Sequence, residues 1–256
     1  METQSIKRKN RGKRAGITLG ILLLLVLVLC AVFLSGNYRA LPEALQALEQ
    51  PADGVAICRG ADRIDFIPAE PRAGLVFYPG ALVQFESYAP LMERFAERGI
   101  LCVLLRMPAN LAVLNPNAAD GVPADYPEIA RWYLGGHSLG GAVAANYLEK
   151  HTGSYEGLLL LAAYSIADLS KEDLRVLTVY GSEDGLLEMD KVESGRALLP
   201  ADAGEEILPG GCHAFFGSYG AQKGDGVPQI TNEQQMDQTA DLVEAFCLEN
   251  ALDAAA

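Results

Sequence analysis

The stretch of sequence that decides the fold covers residues 132–147 and reads WYLGGHSLGGAVAANY. It joins an apolar β-type run to small residues typical of a closely packed helix, with the motif G-x-S-x-G between them. A sharp turn from strand to helix holds such a serine in a strained conformation, and the flanking glycines prevent clashes. The sequence therefore predicts that Ser138 exposes its hydroxyl, as a nucleophile, at the carboxyl edge of a sheet. The backbone N–H of Leu139 would begin the helix, where partial positive charge favours a developing oxyanion.

Short β-type runs and helical stretches alternate on both sides of this motif. The predicted strands read GVAICR, RIDFIP, GLVFYPG and ILCVLLRM before it, and GLLLLAAY and RVLTVYGS after it. Helices are predicted over residues 41–50, over YAPLMERFAERG, and in a last helix that Thr231 and Gln234 begin as a capping box. Residues 108–128 indicate a loop with a short helix. This order is typical of one α/β domain with a mainly parallel sheet covered by helices.

A serine hydroxyl needs a base, and imidazole is the suitable group because its unperturbed pKa is about 6.5. The chain has three histidines. His137 lies inside the serine motif and His151 ends the following helix, so both are interpreted as packing residues. His213, in GGCHA after the last predicted strand, is the predicted base, because the chain order serine, acid, histidine belongs to this architecture.

The acid is expected between Ser138 and His213 in the chain. Glu183 and Asp184 immediately follow the predicted strand RVLTVYGS, and Asp184 is preferred because it precedes a turn-forming glycine. It would orient the imidazole and stabilise the imidazolium. The second oxyanion donor is expected from the loop after an earlier strand, where Tyr-Pro-Gly makes the N–H of Ala81 the candidate.

Charge is unevenly distributed along the 256 residues, whose net charge is −13. Residues 1–16 hold six basic and one acidic side chain, a charge of +5, and the remainder holds 14 basic against 32 acidic, a charge of −18. Such an acidic body repels phosphate backbones, so nucleic acid is excluded as a partner.

Residues 17–34 form an uncharged apolar run that, as a helix, would extend about 27 Å, close to the hydrocarbon thickness of a bilayer. No small-x-small cleavage site follows, which favours an anchor over a secretory signal. The basic residues before the run predict a cytoplasmic N-terminus and an extracytoplasmic body. The predicted organisation is a basic tail, a transmembrane segment, a linker with a short helix, a catalytic domain and a C-terminal tail, at 1–16, 17–34, 35–53, 54–250 and 251–256.

Five cysteines are present, Cys30 in the apolar run and four in the body. They form no CxxC pair, and three histidines are too few to complete a zinc site, so no metal is expected. One disulfide remains possible. No organic cofactor is implied by any motif.

Together these residues resemble the α/β-hydrolase superfamily, over about residues 54–250. The runs RMPANLAVLNPNAAD, GGHSLGGA, YGSEDG and GGCHAFFGSYGAQKGDG are similar to those of a bacterial branch of compact, often membrane-anchored serine hydrolases. The resemblance implies a sheet of about eight strands and ester hydrolysis through an acyl-serine. One departure is Cys212, where asparagine would be expected before the histidine.

Only about ten residues separate the strand ending near Tyr164 from the one beginning near Arg175, so no large cap is expected there. An open site of this kind would suit a small ester or a bond that protrudes from a larger molecule. The leading hypothesis is a membrane-anchored serine hydrolase that cleaves an ester or thioester. Peptidase or acyltransferase activity on the same three residues is an alternative, and a noncatalytic binding protein with this fold is another. The sequence leaves the oligomeric state open.

Overall fold

The computed structural model describes residues 36–248. The predicted basic tail (1–16), the predicted membrane segment (17–34) and the C-terminal tail (251–256) lie outside the described residues. Within 36–248, no helix is both long enough and apolar enough to cross a bilayer. From Tyr38 onward, the described residues belong to one compact unit.

One sheet forms the centre of this unit. In chain order its strands are β1 (Val55–Arg59), β2 (Arg63–Pro68), β3 (Ala73–Tyr78), β4 (Ile100–Leu105), β5 (Trp132–His137), β6 (Gly157–Leu161), β7 (Arg175–Gly181) and β8 (Gly204–Leu208). Their order across the sheet is β1-β2-β4-β3-β5-β6-β7-β8. β2 runs antiparallel to its two neighbours, β1 and β4, and every other neighbouring pair, from β4–β3 across to β7–β8, is parallel. The expected eight-stranded, mainly parallel sheet is confirmed.

Helices connect the strands and cover the sheet. They are α1 (Pro42–Glu49), α2 (Ala89–Glu97), α3 (Val122–Asp125), α4 (Leu139–Leu148), α5 (Met189–Gly195) and α6 (Asn232–Leu248). Phe95 of α2 and Val243 of α6 belong to one apolar cluster, whereas Ala144 of α4 belongs to a second. The sheet therefore separates two cores, one on each face.

Strand β3 shows how the sequence supplies both cores. Leu75 and Phe77 enter one cluster, and Val76 and Tyr78 enter the other. Side chains alternate between the faces of a strand, so a strand buried on both faces requires a continuous apolar run. All six residues of β3 are buried, as that argument requires.

Most predicted elements are confirmed. The capping box at the start of α6 is present, since Thr231 N donates to Gln234 Oε1 at 2.9 Å and Gln234 N donates to Thr231 Oγ1 at 3.1 Å. The connection between β6 and β7, residues 162–174, contains neither helix nor strand, which confirms that no large cap is inserted there. Two elements, β8 and α5, were not predicted individually. The four cysteines of the described range are free thiols.

Parallel strands deliver their following loops to one edge of the sheet. At this edge lie the oxyanion loop (79–83, after β3), the elbow (136–140, at the end of β5), the acid loop (182–188, after β7) and the histidine loop (209–217, after β8). Candidate residues from four distant parts of the chain therefore share one edge.

Candidate active site

Ser138 is the turn residue between β5 and α4. Its backbone has φ 54° and ψ −124°, a conformation that is rare for a residue with a side chain. Holding a residue there costs about 1–3 kcal/mol, which the surrounding structure must supply. Its N–H donates to the carbonyl oxygen of Leu161 in the neighbouring strand at 2.9 Å. The strained turn predicted from the motif is present.

The glycines of the elbow are required by close backbone contacts. A Cβ on Gly136 would lie 2.5 Å from the carbonyl carbon of Gly140, and a Cβ on Gly140 would lie 2.3 Å from the carbonyl oxygen of Tyr78. Real Cβ atoms essentially never come within 3.0 Å of such neighbours. The second contact also shows that the oxyanion loop begins directly against the first turn of α4.

Backbone strain is concentrated at this edge of the sheet. In the described range, the non-glycine residues with positive φ are Leu82, Ala109, Asn110, Ser138 and Ala162. Each follows the carboxyl end of one of the strands β3, β4, β5 and β6. Strained residues persist where surrounding structure fixes them, and they cluster at functional sites.

His213 and Asp184 form a buried pair. Nδ1 of His213 lies 2.9 Å from Oδ2 of Asp184, and the two side chains are 4% and 2% exposed. Because a carboxylate only accepts, Nδ1 carries the proton, and in the neutral imidazole Nε2 keeps its lone pair. The other oxygen, Oδ1, accepts from the N–H groups of Leu186 at 2.9 Å and Leu187 at 2.8 Å, which fixes the carboxylate.

The alternative acid, Glu183, points elsewhere. Its Oε1 accepts from the hydroxyl of its neighbour Ser182 at 2.9 Å in an exposed position. The structure therefore brings Asp184, and not Glu183, to the histidine.

Ser138 and His213 line the same cavity, of about 210 Å³. Most of its other lining residues are small or aliphatic: Leu139, Ala142, Ala162, Ala163, Leu186 and Leu187. Glu188 and Tyr164 complete the lining. The cavity is smaller than the roughly 300–1,000 Å³ typical of sites for drug-sized ligands. Its size and its apolar wall leave room for a short apolar group beside the serine.

The two candidate oxyanion donors differ in position. Leu139 lines the cavity at the first turn of α4, and Ala81 lies in the adjoining oxyanion loop but not among the cavity-lining residues. Among residues 36–248, no acceptor takes a hydrogen bond from either N–H. Two free N–H groups near the elbow are the feature that an oxyanion requires.

The other two histidines do not form part of this cavity's lining. His151 stacks on Tyr147, with ring centroids 3.9 Å apart, and its Nδ1 donates to the carbonyl oxygen of Tyr147 at 2.8 Å. His137 is buried, and its ring nitrogens contact the hydroxyl of Tyr88 and the carbonyl oxygen of His213. Both therefore have packing partners, as the sequence predicted.

Asp225 is a residue of this site that the sequence patterns did not predict. Its Oδ1 accepts from the N–H groups of Gly185, His213 and Gly226 at 3.2, 3.1 and 2.8 Å, and its Oδ2 accepts from Ala214 at 2.8 Å. Burial acts to raise the pKa of Asp225, but these backbone donors outweigh burial and hold it below the usual value. One carboxylate thereby joins the acid loop to the histidine loop. The available signal was an aspartate between two glycines in the run KGDG.

Cys212, where asparagine was expected, is held through its backbone. Its N–H donates to Gln235 Oε1 at 2.9 Å, and its carbonyl accepts from Gln235 Nε2 at 2.8 Å. Burial raises the pKa of its thiol to about 12, with Asp225 contributing. The thiol is therefore protonated at neutral pH, which is not the state of a nucleophile.

Comparison with known proteins agrees with this fold. Residues 74–237 match the family model described as the alpha/beta hydrolase family. The match covers more than half of the chain, so the chain belongs to the alpha/beta hydrolase family, and this membership indicates a hydrolase. No curated protein sequence matches the chain.

Several solved structures are similar in fold. One described as a predicted CIB-like hydrolase, from Thermoplasma acidophilum, is 14% identical with a TM-score of 0.57, covering 75% of this chain and 99% of its own. Est1E from Butyrivibrio proteoclasticus is 15% identical with a TM-score of 0.56, covering 78% and 100%. TT1662 from Thermus thermophilus is 16% identical with a TM-score of 0.54, covering 76% and 98%. At these identities the likeness concerns the fold alone.

Proposed function

We propose that the protein is a serine hydrolase that cleaves an ester or thioester through an acyl-serine intermediate. Ser138 is the nucleophile, His213 the general base and then acid, and Asp184 the group that orients the imidazole. One observation carries the proposal: a histidine hydrogen-bonded to a buried carboxylate lines the same cavity as the strained serine. Serine, base and orienting carboxylate together are the arrangement that activates a hydroxyl.

The reaction proceeds in two halves. Nε2 of His213 takes the proton of the Ser138 hydroxyl as its oxygen bonds to the carbonyl carbon, and Asp184 stabilises the imidazolium. The N–H groups of Leu139 and Ala81 donate to the oxyanion of the tetrahedral intermediate. The imidazolium then protonates the departing alcohol or thiol, leaving the acyl-serine. Water, deprotonated by the same imidazole, attacks this ester and releases the acid, and the proton returns to Ser138.

The cavity favours short acyl groups. Its small volume and aliphatic wall accommodate a short chain beside Ser138, and no cap inserted between β6 and β7 covers it. In a series of p-nitrophenyl esters from acetyl to dodecanoyl, we expect the highest kcat/KM at the short end. A steady rise to dodecanoyl would contradict this substrate class.

The nucleophile is tested by labelling with a fluorophosphonate probe. Ser138→Ala removes the attacking oxygen, so we expect no labelling and no ester hydrolysis while the fold is retained by circular dichroism. Ser154→Ala, at an exposed serine that does not line the cavity, is the control and should label like the wild type. Persistent labelling of Ser138→Ala would refute the assignment.

A folded wild type without labelling or hydrolysis would favour a noncatalytic binding protein. Added alcohols or amines, by trapping the acyl group, would reveal acyl transfer.

The proposal includes a membrane location. The apolar run at 17–34 and the basic residues before it support a single-pass anchor with the N-terminus in the cytoplasm and the catalytic domain outside. We expect the full chain to stay with the membrane during alkaline carbonate extraction, and a chain lacking residues 1–34 to be released. Release of the full chain would contradict the anchor.

A further inference from the structure

Four groups, from Gly80, Tyr88, the elbow residue His137 and His213, form a continuous chain of hydrogen bonds. The N–H of Gly80 lies 3.0 Å from the hydroxyl oxygen of Tyr88, which lies 2.8 Å from Nδ1 of His137. Nε2 of His137 lies 3.1 Å from the carbonyl oxygen of His213. The chain runs from the oxyanion loop to the histidine loop through two side chains that are at most 1% exposed.

The direction of each hydrogen bond follows from the two ends of the chain. A carbonyl oxygen only accepts, so Nε2 of His137 carries the proton and donates to His213. Nδ1 then holds the lone pair and accepts from the hydroxyl of Tyr88, whose oxygen accepts from Gly80. Every donor is satisfied while the imidazole is neutral. Burial, with the nearby His213 ring, holds the pKa of His137 well below its usual range, which maintains this form.

We propose, on the basis of the serine hydrolase function above, that Tyr88 and His137 are a positioning pair that fixes the oxyanion loop relative to the histidine loop. Ala81 directly follows Gly80, so the hydroxyl that holds Gly80 also sets the position of the proposed oxyanion donor. The same pair holds the backbone carbonyl of the proposed base. Catalytic groups must be placed to within about 0.5 Å, and the Tyr88–His137 pair positions two of them, the N–H of Ala81 and the base His213.

Close packing leaves the pair little freedom. A Cβ on Gly80 would lie 2.8 Å from both the Tyr88 hydroxyl and Nδ1 of His137, so only glycine allows this approach. The His137 ring also packs against His213 and Phe216, with centroids 4.6 and 5.6 Å away. Close packing thus holds the Tyr88 hydroxyl and the His137 ring in the positions that the hydrogen bonds require.

The pair has a role that the two carboxylates do not fill. Asp184 and Asp225 join the acid loop to the histidine loop, through the imidazole and the backbone N–H of His213 respectively. The Tyr88–His137 pair joins the histidine loop to the oxyanion loop. Loosening the pair should therefore misplace groups that act in the transition state without changing the wall of the cavity.

The test is steady-state hydrolysis by the full-length protein, with active sites counted by fluorophosphonate titration. Tyr88→Phe keeps the ring but leaves the Gly80 N–H and the His137 Nδ1 without partners. We expect kcat per active site to fall about tenfold while KM changes by less than about twofold, because the lost interaction acts in the transition state. Tyr219→Phe is the matched control, since Tyr219 is a buried tyrosine packed against Tyr88 whose hydroxyl donates to Gln222 Oε1 at 3.1 Å and not to the Tyr88–His137 chain.

His137 provides a rescue experiment. Gln can place an N–H near the position of Nε2, whereas Leu cannot, so His137→Gln should retain several-fold more kcat than His137→Leu. Combining Tyr88→Phe with His137→Leu should be less than additive, because both break one chain. Equal kcat for Tyr88→Phe and Tyr219→Phe, or full additivity, would overturn the proposal.

A measurement on the wild type does not depend on whether the variants fold. ¹⁵N NMR of the histidine side chains should show His137 as the neutral Nε2–H tautomer at neutral pH. An Nδ1–H tautomer, or a protonated His137 at neutral pH, would refute the pair. A wild type that neither labelled nor hydrolysed esters would refute the proposed function even where this NMR result held, so the two failures are distinguishable.

Discussion

The elbow around Ser138 and the histidine loop meet at one edge of the sheet, yet different interactions hold them. The elbow depends on close backbone contacts that only glycine permits, at Gly136 and Gly140. The histidine loop depends on side chains that reach it from elsewhere, namely Asp184, Asp225, His137 and Gln235. Substitution of the elbow glycines should therefore disturb the fold, whereas substitution around the histidine loop should first disturb the chemistry.

The largest effect on kcat is expected when Asp184, the acid that bonds His213, is replaced by a side chain of the same size. Asp184→Asn keeps the size of the side chain but no longer stabilises the imidazolium, and it can favour the wrong tautomer, so kcat should fall about 10⁴-fold. Thermal unfolding should change little by comparison. Glu183→Gln is the control because Glu183 does not contact His213, and it should stay within about twofold of wild-type kcat. A similar loss in both variants would show that the acid is misassigned.

The next largest effect is expected when a side chain is added to a glycine of the elbow. In Gly140→Ala the new Cβ would meet the carbonyl oxygen of Tyr78 at 2.3 Å, which the backbone can relieve only by moving. We expect the free energy of unfolding to fall by about 3 kcal/mol, measured by urea denaturation, together with loss of labelling. Gly153→Ala is the matched control, because a Cβ there meets nothing within 4 Å. Equal stability of the two variants would contradict a sterically held elbow.

A smaller effect is expected at Asp225. Asp225→Asn keeps one oxygen but presents an NH₂ group to a backbone N–H, so the histidine loop should loosen and kcat should fall about tenfold. The folded protein holds the pKa of Asp225 below its unfolded value of about 3.9, so its stabilisation is present above that pH and is lost as the pH falls through the folded pKa.

The difference in unfolding free energy between wild type and Asp225→Asn should therefore shrink as the pH is lowered below about 4. Asp202→Asn, at an exposed turn position, is the control for a generic loss of negative charge. A difference that stays constant from neutral pH to about pH 3 would show that the ionised carboxylate does not hold the loop.

Local patterns predicted much of the fold. The apolar runs of β3 and β5 and the capping box of α6 are confirmed because each reflects neighbours along the chain. Strand β8 was not recognised, since it is an edge strand whose sequence, GEEIL, is mostly exposed and lacks an apolar run. Helix α5 has only seven residues, too few for a clear helical period.

Local patterns likewise predicted some residues of the candidate site and not others. Ser138, Asp184 and His213 could be named because each follows a predicted strand and carries a reactive group. Asp225 and Tyr88 could not be predicted in this way, because their proposed roles depend on hydrogen bonds to backbone N–H groups of other loops.

By itself, the sequence determined the elbow, the parallel sheet and the three residues proposed for catalysis, because glycine spacing and apolar periodicity act over a few residues. Only the tertiary structure decided how the histidine loop is held, and that His137 bonds the carbonyl of His213 while Asp225 bonds its N–H. The physical reason is that a hydrogen bond depends on distance and direction in space. His137 lies 76 positions from His213 in the chain, and Asp225 lies 12 positions from it, so no local sequence pattern predicts these two hydrogen bonds.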